Sequence, residues 1–92
     1  MKILNMGIKV KEKYNKIRLD KQQLEETITI IFTSMEFHLE VVITYFDQHK
    51  PYIMVGHIRY VNPHTQQFIV EDRFNQYEHI SIKDVIDIRI QK

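Results

Sequence analysis

The chain has 92 residues, 43% of them hydrophobic and 27% charged, with a formal net charge of +1, two glycines, two prolines and no cysteine. The absence of cysteine excludes a disulfide scaffold, thiol catalysis and thiolate metal sites, and a single domain of this size buries only about 60–65% of its unfolded surface, which leaves self-association open. The composition is that of a soluble globular domain, and no run is apolar enough for a secretory segment or a membrane span, so a cytoplasmic protein is expected.

The small net charge hides an uneven distribution. Residues 1–19 carry six Lys or Arg against Glu12, or +5, and residues 20–92 carry seven against eleven acids, or −4. This divides the chain into a basic tail, 1–19, and a mildly acidic domain, 20–92. Any contact with a nucleic-acid backbone would fall to the tail. Within it Leu4, Met6, Ile8 and Val10 alternate with polar residues or Gly7, the pattern of a short extra strand, although a partly ordered tail is the preferred reading.

Asp20 and Gln23 have capping-box spacing, so a helix is expected from Lys21 to Met35. Leu24, Ile28, Ile31, Phe32 and Met35 form its apolar stripe, while Glu25, Glu26, Thr29 and Thr33 occupy the remaining circumference. From Leu39 to Ile90 the period changes to two, in five runs separated by turn-prone residues. That is the signature of a small, bent antiparallel sheet.

In the first run Leu39, Val41, Ile43 and Tyr45 share a face, and Asp47 to Pro51 turn the chain. In the second, Met54, Gly56, Ile58 and Tyr60 share a face, and Gly56 marks a bulge, a sharp bend or the close approach of another backbone. Pro63 suits the turn Asn62–Thr65. Phe68 and Val70 are core residues of the third run, and a polar loop from Glu71 to Gln76 surrounds Phe74. Ile80 and Ile82 then point inward, with Tyr77, His79 and Ser81 outward. After a turn at Lys83 and Asp84, the last strand points Ile86, Ile88 and Ile90 inward and Asp87 and Arg89 to water. The expected core comprises Leu24, Ile28, Ile31, Ile43, Ile58, Phe68, Ile82 and Ile88.

Little in this pattern carries chemistry. His38, His49, His57, His64 and His79 never fall at HxH or HxxxH spacing, so they are read as solvated or capping residues rather than ligands, and no metal or cofactor is expected. Ser81 and Lys83 share a strand face, but a Ser–Lys dyad needs a desolvated lysine and an oxyanion hole, which the end of a short strand does not signal. Glu25–Glu26 and Glu71–Asp72 are adjacent pairs and read as solvated surface. With glycine only at Gly7 and Gly56 there is no phosphate loop. No catalytic residue is assigned, and the chain is read as a non-enzyme. The candidate contact residues, for a protein partner or for stacked bases, are Tyr45, Tyr60, Phe74, Tyr77 and His79.

The stretches LDKQQLEETITIIF, VVITYFDQHKP, GHIRYVNPHTQQFIVED and YEHISIKDVIDI resemble the YolD-like family of small bacterial proteins over roughly the last three quarters of the chain. The resemblance lies in the helix opened by Leu19–Asp20, in Val41, Ile43 and Tyr45, in Gly56 and Ile58, in the Val61–Pro63 turn, and in the ending from Ile80 to Ile88. It implies a non-enzymatic accessory of an error-prone Y-family DNA polymerase in DNA-damage tolerance, acting through protein contacts. A helix followed by five strands with a kinked second strand also resembles the Sm-like small barrel. That likeness implies a homo-oligomer whose last two strands pair between subunits, and an alternative function as an RNA-binding ring. Against the RNA reading, Glu78 stands where the Tyr-Lys-His motif of the bacterial Sm-like RNA chaperone has lysine, and Asn62 stands where the usual aspartate would be.

Overall fold

The computed structural model describes residues 2–4 and 21–91, with side chains from Gln22 to Gln91. The expected cap at Asp20, the alternation at Met6, Ile8 and Val10, and most of the basic tail lie outside these residues. The elements are β1 (Lys2–Leu4), α1 (Lys21–Glu36), β2 (Glu40–Asp47), β3 (Lys50–Asn62), β4 (Gln67–Asp72), β5 (Tyr77–Ser81), a 3-10 turn at Ile82–Asp84, and β6 (Val85–Ile90).

The fold is mainly β with one helix, as the periodicities require. The five main strands form one antiparallel sheet in the order β5-β4-β3-β2-β6, and β1 adds to β3 off this path. β5 and β6 occupy the two ends and are not hydrogen-bonded to each other, so the sheet is bent but does not close into the expected barrel. Three residues near the start of the chain do pair as a strand, where a tail was the preferred reading.

α1 ends where its backbone turns left-handed at His38, φ 53°. The Leu39 amide donates to the Ser34 carbonyl at 2.8 Å and the His38 amide to that of Met35 at 3.4 Å, a Schellman arrangement that sends the chain directly into β2. The buried stripe of the helix is rotated from the expected one. Ile31 is fully buried together with Thr27 and Ser34, Leu24, Ile28 and Met35 are half-buried, and Phe32 is 54% exposed. A count of apolar residues alone misses this, because Thr27 and Ser34 are small enough to bring the helix close to the sheet. The Ser34 hydroxyl also satisfies itself by donating to the Ile31 carbonyl at 2.8 Å.

The core consists of Ile31, Val41, Ile43, Tyr45, Met54, Ile58, Phe68, Val70, Ile80, Val85 and Ile88, with Ile82 half-buried against it. Two bulges set its outline. On β3 the register passes from Ile58 opposite Val70 to Tyr60 opposite Ile69, leaving Arg59 as the extra residue. Tyr60 therefore turns outward and Val61 inward, opposite to the simple alternation. Between β2 and β6 the pairs Thr44–Asp87 and Tyr45–Val85 leave Ile86 as the extra residue, so Val85 takes the inward place expected of Ile86. Gly56 is not at a bulge. It sits where β3 is paired on both sides, with Val41 and with Asp72, and a side chain there would collide with the Glu71 carbonyl oxygen.

Candidate partner-binding face

Beyond its bulge β3 pairs with β4 and β4 with β5, and residues in register across an antiparallel sheet point to the same side. Tyr60, Ile69 and His79 form one such row, and His57, Glu71 and Tyr77 form the next. Three of the five candidate contact residues, Tyr60, Tyr77 and His79, thus come together on the outer face of the β3-β4-β5 sheet. Tyr60 is 53% and Tyr77 59% exposed, and His79 is exposed as well.

Phe74, the fourth candidate, is 63% exposed at the tip of the β4–β5 loop. Its position depends on Asp72, which is 5% exposed and so not the solvated surface acid expected of the Glu71–Asp72 pair, because the loop's own backbone amides satisfy its carboxylate. One Asp72 carboxylate oxygen accepts from the Phe74 amide at 2.8 Å and from the Gln76 amide at 3.0 Å. The Asp72 amide donates to the Gln76 carbonyl at 2.9 Å, and Asn75 takes the left-handed conformation that the tight loop needs. An Asp five residues before a strand start is the signal that could have identified it.

Tyr45, the fifth candidate, is not on the surface. It is 2% exposed in the core, and burial pushes its phenol pKa up, with further contributions from the Glu78 and Asp47 carboxylates. Its ring lies 6.1 Å from that of Tyr52. Glu78 is separated from its sequence neighbours in the same way. In register with Val70 it points to the inner side, whereas Tyr77 and His79 point outward. The Tyr-Glu-His run is therefore divided between two faces.

The charges of the outer face are paired. Arg59 donates from Nε to Glu71 Oε1 at 2.8 Å. Arg73, at the start of the β4–β5 loop, reaches Glu40 at the start of β2 with two bonds of 2.7 and 2.9 Å. That hydrogen bond, aided by the charge of Arg73 and of His57, holds the Glu40 carboxyl below its usual range against the opposing effect of desolvation. Because both guanidiniums are engaged by carboxylates, the exposed aromatic rings are the groups this face presents. Among the described residues no three His, Asp or Glu side chains gather as a metal-ligand set, and no helix is long and apolar enough to cross a membrane.

The chain matches the family model described as YolD-like protein over residues 1–89, a span that takes in the basic tail as well as the strands that carry the motifs. No curated protein and no solved structure matches it.

Proposed function

This chain belongs to the YolD-like protein family, and on that premise we propose that it is a non-enzymatic accessory of an error-prone Y-family DNA polymerase, acting through protein contacts in DNA-damage tolerance. Family membership supports the choice of partner. The observation that carries the protein-binding reading is the outer face of β3-β4-β5, where Tyr60 and Tyr77 are more than half exposed around Ile69 while Arg59 and Arg73 are bound to Glu71 and Glu40. Exposed aromatic residues supply most of the energy of protein interfaces, and a phosphate backbone would have to break ion pairs to use these cations.

Self-association is part of the proposal. β5 and β6 are the two ends of the sheet and present backbone groups that a second copy could pair.

The test is affinity capture from DNA-damaged cells, with protein and RNA both identified, using the native chain and the double variant Tyr60→Ala, Tyr77→Ala. Capture of a Y-family polymerase by the native chain and its loss with the variant is the expected result. Enrichment of short RNAs without any polymerase or repair factor would replace this reading with that of an Sm-like RNA binder.

A further inference from the structure

The two edges of β3 are covered very differently. β2 lines one edge from Lys50 to His57, whereas on the opposite edge β4 begins only at Gly56, and among the described residues Tyr52–Met54 are covered by β1 alone. The hydrogen-bond polarity of this stretch follows from the hairpin that starts it. Asp47 and Lys50 pair across a two-residue turn whose central residues, Gln48 and His49, both have positive φ, so they form the hydrogen-bonded pair that closes a type I′ hairpin. Counting from Lys50, Tyr52 and Met54 direct their backbone groups to β2, while Pro51, Ile53 and Val55 direct theirs to the opposite edge.

Pro51 has no amide to offer, so the ladder on that edge stops there. Ile53 is in register with Ile3. The hold on β1 thus centres on one hydrogen-bonded pair, although the edge itself is bounded by Pro51 on one side and by Asp72 of β4 on the other. The surroundings are apolar, with Tyr52, Ile53 and Val55 half-buried and Met54 buried.

We propose that the Pro51–Val55 edge of β3 is a strand-acceptor site for an extended, apolar segment of a protein partner, and that β1 is a short internal occupant which such a segment displaces. The chemistry of the occupant is read from the strand already seated there, Lys-Ile-Leu, whose central residue is aliphatic and lies opposite Ile53. Main-chain hydrogen bonds hold the incoming strand, and the apolar residues beside Ile53 select its side chains. A segment that pairs along the whole of Pro51 to Val55 engages the backbone of both Ile53 and Val55, against the register with Tyr52–Met54 that the described residues of β1 make. This inference rests on the protein-binding reading above and adds a second contact, away from the aromatic face.

Amide hydrogen exchange followed by NMR on the full chain tests it. Because β1 opens without the rest of the sheet, the Ile53 amide exchanges about tenfold or more faster than those of Tyr52 and Met54, which bond to β2. In the variant Ile3→Pro the Ile53 amide loses protection further, and a synthetic acetylated peptide Met-Lys-Ile-Leu-Asn-Met restores it, whereas the same peptide with Pro in place of Ile does not. Equal protection of Ile53 and Met54 in the native chain overturns the proposal, and so does a folded Ile3→Pro variant that ignores the peptide. If that variant does not fold, the native exchange rates decide alone. A concentration-dependent dimer of the native chain that disappears in Ile3→Pro would assign the edge to a second copy and overturn the partner-strand assignment. The peptide readout does not involve the polymerase, so its failure leaves the affinity-capture result standing, and the reverse also holds.

Discussion

Arg73 holds both carboxylate oxygens of Glu40, Nη2 to Oε1 at 2.7 Å and Nε to Oε2 at 2.9 Å, and so ties the β4–β5 loop to the beginning of β2 across 33 residues of sequence. Planar two-point pairing of this kind fixes orientation as well as distance. It anchors the loop that carries Phe74 and leads into Tyr77.

The bond has a pH signature. The Glu40 carboxyl is held below its ordinary value of 4.5, chiefly by the Arg73 hydrogen bond, so its folded pKa is lower than its unfolded one. The stability it contributes is present above that unfolded value and is lost as the pH falls through the folded one. Glu40→Gln should therefore lower the urea midpoint at pH 7 and have progressively less effect as the pH is taken below 4.5. Arg73→Ala should lower the pH 7 midpoint similarly, and the double variant no further than either single one, as a double-mutant cycle would read.

Ile58 and Tyr60 lie two apart on one strand, yet the Arg59 bulge places them on opposite faces, at 5% and 53% exposure. Ile58→Ala should cost about 2–5 kcal/mol by chemical denaturation, and Tyr60→Ala no more than about 0.5 kcal/mol. Equal losses at the two positions would mean that the alternation runs unbroken through β3.

Gly56→Ala tests the close approach of β4. The added methyl meets the Glu71 backbone carbonyl rather than the end of a side chain, and backbone paired on both edges has little room to give. A loss of about 1–3 kcal/mol is expected from urea unfolding, the usual range for overpacking.

The turns offer changes in the opposite direction. His38 closes α1 at φ 53°, and Gln48 and His49 make the β2–β3 turn at 52° and 67°, conformations that side chains with a Cβ adopt at a cost. His38→Gly should raise stability by about 0.5–1 kcal/mol after allowing for the greater freedom of glycine in the unfolded chain. Replacing Gln48–His49 by Asn-Gly, the pair preferred in type I′ turns, should raise the melting temperature as well. Calorimetry of the two variants measures both effects.

How much the sequence determines by itself can be seen residue by residue. The change of period from 3.6 to 2 places α1 from Lys21 and the five main strands after it, because burial of one face demands that spacing whatever the partner element is. The inward sets Val41–Ile43–Tyr45, Met54–Gly56–Ile58 and Phe68–Val70 follow from the same rule, and so does the outward direction of Tyr77 and His79.

What only the tertiary structure decided is where the alternation breaks and what is thereby brought together. The bulges at Arg59 and Ile86 belong to strand pairs rather than to strands, since the extra residue is defined by the register of the partner; hence Tyr60 joined the outer face and Val85 replaced Ile86 in the core. Tyr45 shares its face with Val41 and Ile43, yet it could still be listed as a surface contact because a tyrosine is at home on either face at a strand end; the packing around it, which leaves it 2% exposed, decides for the core. Thr27 and Ser34 escaped notice, and Asp72 reads as solvated surface from its sequence, for a related reason. A polar residue is buried only when a neighbouring backbone group satisfies it, and which group stands there is a property of the folded chain.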